Sequence, residues 1–313
     1  MSGTRKRIIC VGHAALDRVY AVDAWPVDSG KIPVHRFEES GGGMAANAAA
    51  AIARLGGEAV FWGPTGEDTV AGKIREQLAT DGVDAEYLRP FPGKSSSHSA
   101  VIVDGRGERL VVGYRGSALQ APADWLPLEQ LAFSQALLAD VRWPEGGAEA
   151  LRAARDEGIP AILDAEIADV EILERLAGIA DHVIFSERGM AAWSAGDVEG
   201  GLRKVLSKGA RVAAVTLGAK GVTWMESDAP GKLQHVPAYP VNVVDTLAAG
   251  DVFHGAYALA LAEGQTPADA MRFAAAAAAI KCTRPGGRRG TPDRAEVDAF
   301  LRAADGEEKQ SKV

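Results

Sequence analysis

The feature that most constrains the fold is an alternation of short apolar runs with helix-type patterns along most of the 313 residues. The run at 7–12 ends in glycine, and an Ala-rich helix pattern at 44–55 leads into a second apolar run at 59–62. The same order returns from residue 136 onward. A β-α-β alternation predicts a mainly parallel sheet with helices on both faces, and the chain is long enough to bury the core of such a domain.

Three of the later predicted strands end on polar residues, which are Asp140, Asp164 and Thr216. The carboxyl ends of parallel strands lie at one edge of the sheet, and ligands of doubly wound folds bind there. We therefore expect the functional site at this edge.

Two segments, 14–38 and 86–116, interrupt the alternation because they show strand patterns without helices between them. The second contains a hairpin pattern around Asp104 and Gly105. Since the segments are distant in sequence, they predict a small antiparallel sheet that forms a lid over a single domain spanning 1–313. Such lids exclude water during transfer chemistry. An edge sheet also suits contact between two copies, so we expect a homodimer through the lid.

Bulk composition limits the partners that the chain can have. A net charge of −8 gives no attraction to nucleic acid or to an anionic membrane face, and no apolar run approaches membrane length. Cys10 and Cys282 lack the spacing of a zinc site or a disulfide framework. These properties predict a soluble, cytoplasmic protein that acts on a small molecule.

The segment D-T-L-A-A-G-D at 245–251 carries the clearest chemistry, because a helix pattern begins directly behind it. A helix start has unpaired N–H groups and a partial positive charge. The small residues Ala248, Ala249 and Gly250 let a phosphate approach those N–H groups. Asp251 would then lie where a carboxylate could take a proton from an attacking hydroxyl. Alone, the same segment also fits an ordinary capped helix.

A second glycine-rich segment partly matches the dinucleotide fingerprint G-x-G-x-x-A at 41–46. It does not follow the first strand, and no acid ends the next strand, so an oxidoreductase is the weaker interpretation. We expect Gly42, Gly43 and Asn47 to face a polyol, because an amide both donates and accepts hydrogen bonds. Asp17, in the first lid segment, could bind two hydroxyl groups of the same ligand.

Two further segments predict a nucleotide site. The strand-to-turn segment 216–221 contains small residues that would admit phosphates and a purine. The loop at 282–290 interrupts a helical region, and its carbonyl groups could line an ion or nucleotide site. We interpret Arg288 and Arg289 in this loop as a solvated basic turn.

Taken together, these motifs resemble those of the PfkB (ribokinase-like) carbohydrate kinases over nearly the whole chain. The likeness depends on G-G-G-M-A-A-N-A-A at 41–49, V-T-L-G-A-K-G at 215–221 and D-T-L-A-A-G-D at 245–251, in that order. It implies a ribokinase-like three-layer α/β/α sandwich with a mainly parallel central sheet and a small antiparallel β lid. It also implies ATP as the phosphate donor, Mg²⁺, a K⁺ ion as a further cofactor, and Asp251 as the base.

The resemblance assigns further residues of the site. The N–H groups at 249–251 would hold the transferring phosphate. The nucleotide would contact Ser186, Thr216, Gly218, Gly221, Cys282 and Gly286. The monovalent cation would lie at Asp245 and at the carbonyl groups around Leu247, Cys282, Pro285 and Gly287. The chain departs from the family pattern at two points. Ala248 replaces a glycine of the turn. S-E-R-G at 186–189 replaces an N-x-x-E segment that helps order the Mg²⁺ water shell, so Glu187 is the acid that remains there.

Within the family, the chain resembles bacterial sulfofructose kinases most, through L-A-D-V-R-W at 138–143 and K-C-T-R-P-G-G-R at 281–288. This implies that Lys31 and Arg142 contact a sulfonate, which suits cationic donors. Gly113 stands where those enzymes have an asparagine. The expected reaction is ATP-dependent phosphorylation of the 1-hydroxyl of 6-deoxy-6-sulfofructose. A fructokinase or ketohexokinase, a ribokinase, a keto-deoxy sugar acid kinase and a non-catalytic sugar-binding regulator are the alternatives.

Overall fold

A computed structural model describes residues 5–25, 30–106, 108–229 and 231–310, with side chains up to residue 306. The strands, in chain order, are β1 (Arg7–Val11), β2 (Ala15–Ala21), β3 (Arg36–Gly42), β4 (Glu58–Gly66), β5 (Leu88–Phe91), β6 (Ser97–Val103), β7 (Arg109–Tyr114), β8 (Ala136–Asp140), β9 (Ala161–Ala165), β10 (His182–Ser186), β11 (Val212–Thr216), β12 (Val222–Glu226) and β13 (Gln234–Val236). The α-helices are α1 (Met44–Arg54), α2 (Thr69–Thr80), α3 (Pro144–Asp156), α4 (Val170–Ala177), α5 (Glu187–Ser194), α6 (Val198–Ser207), α7 (Ala249–Ala262), α8 (Pro267–Cys282) and α9 (Arg294–Gln310).

The larger sheet has the strand order β13-β12-β11-β10-β9-β8-β1-β4-β5 within the described residues. Neighbouring strands are parallel from β11 to β5, and β12 and β13 add antiparallel edges. The inner strands are buried along nearly their whole length, which explains their continuous apolar runs. The predicted α/β class is confirmed.

The side chains of successive residues in the inner strands pack alternately into two separate cores, one on each face of the sheet. Ile8 packs with the Ala-rich helices α1, α7 and α8, while its neighbour Ile9 packs with α3 to α6. This alternation follows from the two-residue period of a strand, and it produces the three layers. Within the described ranges, no helix combines the length and the apolar character needed to cross a bilayer.

The two helices that carry the central polar residues pack unusually closely. A Cβ atom at Gly255 of α7 would lie 2.5 Å from the carbonyl oxygen of Ala48 in α1. Only glycine permits this approach, and the buried alanines of α1 extend it along the interface. Asn47 and Asp251, one on each helix, are thereby brought side by side.

The smaller sheet has the order β3-β2-β6-β7 and comes from two distant segments, as expected for the lid. Its outer pairs are antiparallel, whereas the inner pair β2 and β6 is parallel. The boundaries differ from the sequence-based ones at two points. β3 extends to Gly42, and β5, inside the expected segment 86–116, joins the larger sheet. The reason is that the last four residues of the long strand β4 (63–66) offer an edge with which β5 pairs.

Candidate active site

The turn before α7 contains a residue with left-handed backbone geometry. Ala248 has φ 63° and ψ 8°, a conformation that costs a residue with a side chain about 1–2 kcal/mol. The N–H group of Ala249 donates to the Thr246 carbonyl inside the turn (3.2 Å). Gly250 is exposed, and the space in front of it is open. Since N–H groups in a first helical turn lack intrahelical acceptors, the start of α7 can receive an anion at this point.

Asp251 follows directly, and its carboxylate is held by a side chain of α1. Asn47 donates its Nδ2–H to Asp251 Oδ2 at 2.6 Å. Burial, and then the nearby Asp164 carboxylate, raise the pKa of Asp251 to about 7, while the Asn47 hydrogen bond opposes the rise. A carboxylate with this pKa exchanges protons near neutral pH, as a general base must.

Arg288 contradicts the expectation of a solvated basic turn. Its side chain is buried and forms an ion pair with Asp81 (2.6 Å). A Cβ atom at Gly41 would lie only 1.9 Å from Arg288 Nη2, so the glycine there admits a protein side chain rather than a ligand. Arg289 is half-exposed and donates to the Glu39 carbonyl (2.8 Å). The burial of Arg288 depends on contacts with residues more than 200 positions away, which no local pattern could indicate.

A cavity of 320 Å³ lies between the lid and the turn before α7, and Asp17, Asn47 and Ala248 are among the residues that line it. Asp17 on β2 accepts a hydrogen bond from Ser99 Oγ on β6 (2.5 Å). A Cβ atom at Gly42 would lie 2.2 Å from Asp17 Oδ2. The volume is at the lower end of the range for ligand pockets, about 300–1,000 Å³. The structure thus brings the polyol-binding candidates Asp17 and Asn47 to one cavity.

Asp140, at the end of β8, ties together the segment after β1, the start of α1 and the segment after β8. Its carboxylate accepts hydrogen bonds from the N–H groups of His13 (2.8 Å), Ala45 (3.0 Å) and Arg142 (2.8 Å). Gly43, with φ 94°, allows α1 to start against His13, because a Cβ atom there would lie 2.4 Å from the His13 carbonyl oxygen. Asp140 is therefore a positioning residue of the site.

Two guanidinium groups, those of Arg142 and Arg115, lie near His13 beside Asp140. Burial lowers the pKa of His13; the carboxylates of Asp140 and Asp17 oppose this, while Arg142 and Arg115 add to it. Within the described part of the chain, His13 Nε2 is buried without a hydrogen-bond partner, and neither guanidinium has an acidic ion-pair partner. Arg142 donates to the Ile167 carbonyl (2.9 Å). Lys31, the other predicted sulfonate contact, is exposed in the coil before β3.

Four of the predicted nucleotide residues, Ser186, Thr216, Gly218 and Gly221, lie at or just after the carboxyl ends of β10 and β11, whereas Cys282 ends α8 and Gly286 lies in the loop that follows it. Thr216 Oγ1 donates to the Phe185 carbonyl (3.3 Å), and Gly218 has φ 55° with open space around it. Gly221 has φ 94° and packs against the end of β13. A Cβ atom there would lie 2.1 Å from the Val236 carbonyl oxygen. Their contact with a nucleotide stays a prediction.

Two acids lie near this edge, Glu187, which the sequence predicted for the Mg²⁺ water shell, and Glu166. Glu187 is 63% exposed and faces Lys220 (4.0 Å). Glu166, just after β9, accepts a hydrogen bond from Ser186 Oγ (2.9 Å). A Cβ atom at Gly189 would lie 2.2 Å from the Ala165 carbonyl oxygen, so position 189 cannot carry a side chain without moving the end of β9. Glu166 is thus a second carboxylate at this edge, beside the S-E-R-G segment.

Four donors surround Asp245. Oδ1 accepts hydrogen bonds from Leu247 N–H (2.8 Å) and from the Arg109 guanidinium of the lid strand β7. Oδ2 accepts from Gly287 N–H (3.0 Å) and lies 3.3 Å from Lys281 Nζ. Burial alone would raise the pKa of Asp245, but the two N–H groups and the two cations lower it below its usual range.

The carbonyl groups predicted to line the monovalent cation are partly engaged. The Cys282 carbonyl accepts from Val244 N–H (2.8 Å) and Asp245 N–H (3.1 Å). Pro285, Gly286 and Gly287 line the cavity. Among the described residues, no group of three or more His, Cys, Asp and Glu side chains is arranged to hold a metal ion.

Sequence reasoning missed three charged residues of the site, which are Arg109, Glu166 and Lys281. A signal existed only for Lys281, because it lies four residues after Ala277 on an apolar helix face where a charge needs a partner. Arg109 and Glu166 occupy ordinary surface-like patterns, and only the fold brings them to the site.

Comparison with known proteins matches the model of the pfkB family carbohydrate kinases to residues 5–294. Ribokinase of Bacillus subtilis is 31% identical, with 94% of this chain and 99% of the relative covered. Among solved structures, Arabidopsis thaliana ribokinase complexed with ribose and ATP has a TM-score of 0.83 at 25% identity, covering 95% of this chain and 98% of that chain. An Agrobacterium tumefaciens protein, provisionally described as a ribokinase, has a TM-score of 0.91 at 39% identity, covering 96% and 99%. The likeness therefore includes both sheets.

Proposed function

Because the chain belongs to the pfkB family of carbohydrate kinases and is an ATP-dependent sugar kinase, we propose that its acceptor is a ketose with a strongly anionic end. The predicted family, fold, kinase activity and ATP as phosphate donor are confirmed. The alternative of a non-catalytic sugar-binding regulator is therefore set aside. The best candidate acceptor is the 1-hydroxyl of 6-deoxy-6-sulfofructose.

In this proposal Asp251 accepts the proton of the primary hydroxyl as its oxygen attacks the γ-phosphorus of ATP. The bond from that phosphorus to the bridging oxygen breaks, and ADP leaves. Gly250 and the start of α7 hold the transferring phosphoryl group, while Asn47 orients the Asp251 carboxylate at 2.6 Å. Most of the rate enhancement then comes from positioning and electrostatics.

Mg²⁺ neutralises charge on the ATP phosphates when it is bound. Glu166 is the residue that would hold it through water, since Glu166 is anchored by Ser186 at the nucleotide edge. Asp164 is less suited, because burial and then the Asp140 carboxylate raise its pKa well above the usual range, which disfavours its charged form.

The observation that carries the acceptor proposal is the cluster of His13, Arg115 and Arg142. Two guanidinium groups without an acidic partner in the described residues lie close enough to the buried His13 to act on its pKa. The Asp140 carboxylate accepts hydrogen bonds from the backbone N–H groups of both His13 and Arg142, so these two residues are neighbours in space. A sulfonate or phosphate would provide the anionic partner that neither guanidinium has among the described residues.

Ribose is the second candidate, because the relatives named above, at 25–39% identity, are ribokinases or provisionally described as one. A neutral pentose would leave the Arg115 and Arg142 guanidinium groups without an anionic ligand. The two candidates therefore make different demands on Arg115 and Arg142.

An ADP-release screen over sulfofructose, fructose, ribose and fructose phosphates separates these candidates. We expect Arg115→Ala and Arg142→Ala to lower kcat/KM for the anionic ketose by about 10–100-fold, the value of a lost charged hydrogen bond, and to leave fructose nearly unchanged. Arg152→Ala, on the exposed face of α3, is the matched control. The proposal of an anionic acceptor would be contradicted if the wild type had its highest kcat/KM with ribose. It would also be contradicted if the two arginine variants lost kcat/KM equally for fructose and for sulfofructose.

We also propose that a second copy of the chain covers the outer lid. Four large apolar side chains of β3 and β7 lie on the lid face away from the cavity and are each at least half exposed, namely Phe37, Leu110, Val112 and Tyr114. Patches of this kind mark contact surfaces. Light scattering should give a dimer that Val112→Glu converts to a monomer, and a monomeric wild-type chain at micromolar concentration would rule the contact out.

A further inference from the structure

Lys281 is a fully buried lysine that lies beneath the phosphate-binding turn. Its side chain is 0% exposed, although it stands in the last turn of the Ala-rich helix α8. Its Nζ donates to the main-chain carbonyl of Asp245 at 2.7 Å and lies 3.3 Å from Asp245 Oδ2. The first distance is that of a charge-assisted hydrogen bond. The C-terminal end of a helix also favours a positive charge.

The oxygen atoms around this ammonium group have few positions left for a metal ion. A carboxylate offers about four lone-pair sites. Those of Asp245 face Leu247 N–H, Gly287 N–H, Arg109 and Lys281. The Cys282 carbonyl has two N–H donors of its own. Two of the five predicted cation ligands, Asp245 and the Cys282 carbonyl, are therefore already occupied by protein donors and do not fit a bound monovalent cation.

We propose that the Lys281 ammonium group takes the place of that cation, so that this kinase works without added K⁺. The ammonium group supplies one fixed positive charge beside Asp245 and holds the first residue of the turn through the Asp245 carbonyl. The turn leads through Ala248 to Gly250 and Asp251, so its position sets the anion site and the base. The inference rests on the kinase activity and is independent of which sugar is phosphorylated.

The test compares K⁺ with choline at constant ionic strength in the ADP-release assay. Wild-type kcat should change by less than about twofold, since the charge is built in. Lys281→Ala should lose about tenfold or more without K⁺, the scale of a lost electrostatic contact, and should regain most of it when K⁺ enters the vacated space. The melting temperature of Lys281→Ala should also rise with K⁺ more than with choline, while that of the wild type should not.

Lys281→Met is the matched variant, because it fills the space without a charge. It should be as impaired as Lys281→Ala and should not respond to K⁺. Lys232→Ala, at an exposed position, controls for loss of a lysine in general. Strong K⁺ activation of the wild type would overturn the proposal. So would a folded Lys281→Ala variant that keeps full turnover in choline, or one whose loss K⁺ does not restore. A wild type without kinase activity in either salt would instead refute the proposed function.

Discussion

We expect the substitution Asp251→Asn to remove most of the turnover and, at the same time, to increase the free energy of unfolding. The pKa of Asp251 rises from the ordinary 3.8 to about 7, so the folded protein disfavours the charged carboxylate. Because the folded pKa is above the unfolded one, this group's contribution to stability is complete below about pH 4 and is lost as pH rises to about 7. Asn has no charge and escapes that loss.

The size of the effect follows from the shift. At about 1.4 kcal/mol per pKa unit, the rise corresponds to on the order of 4 kcal/mol above about pH 7. Asp251 is partly exposed and solvent screens its charge, so we expect a gain of about 1–3 kcal/mol. The gap between wild type and Asp251→Asn should widen between about pH 5 and about pH 8.5.

Urea unfolding followed by tryptophan fluorescence at both pH values measures the gap, and ADP release measures turnover. We expect kcat to fall by about 10²–10⁴, the usual contribution of a placed general base. Asp245→Asn is the matched control with the opposite sign, because the pKa of Asp245 is lowered and its charge stabilises the fold above its unfolded pKa. Equal stability of wild type and Asp251→Asn at the higher pH would refute the reasoning on burial, and near-normal turnover would refute Asp251 as the base.

Three further substitutions test the site. Ala248→Gly should raise the free energy of unfolding by up to about 1 kcal/mol, because it removes a left-handed alanine; a loss of stability in urea would speak against that strain. Asp164→Asn should move the lower limb of the kcat/KM–pH profile to lower pH, since the Asp164 carboxylate raises the pKa of Asp251 and activity needs the ionised base; an unmoved limb would exclude the coupling. Gly42→Ala should displace Asp17, 2.2 Å from the new Cβ, and raise the sugar KM by about tenfold or more, whereas an unchanged KM would remove Asp17 from the sugar site.

The parts of this molecule that sequence predicts are those with local causes. The helix α1 appears at 44–54 against an expected 44–55, because its apolar pattern and the Gly56-Gly57 stop are local signals. Asp251 and Asn47 could be named for the same reason, since a small-residue turn before a helix and a glycine-rich helix start each carry their chemistry within a few residues.

The missed parts have long-range causes. β5 looks like a lid strand until the extra length of β4 is known, because only that length gives it an edge in the larger sheet. Arg288 looks solvated until α2 brings Asp81 to it. Lys281 and Arg109 meet at Asp245 although 172 positions separate them, and a charge pattern read along the chain cannot show that encounter.

The contact of Gly255 with Ala48 means that the two helices of the active site tolerate little substitution where they touch, whereas the lid can vary. Asn47 and Asp251 lie on two helices whose backbones are in contact. A larger residue at position 255 would therefore move Asp251 relative to the bound sugar. Asp17, Arg115 and Lys31 belong instead to the lid and to its adjoining loops, whose side chains can change size without moving either helix. A library that aims to change the accepted sugar should therefore vary the lid and leave α1 and α7 untouched, and its active members should keep the same pH dependence while differing in substrate.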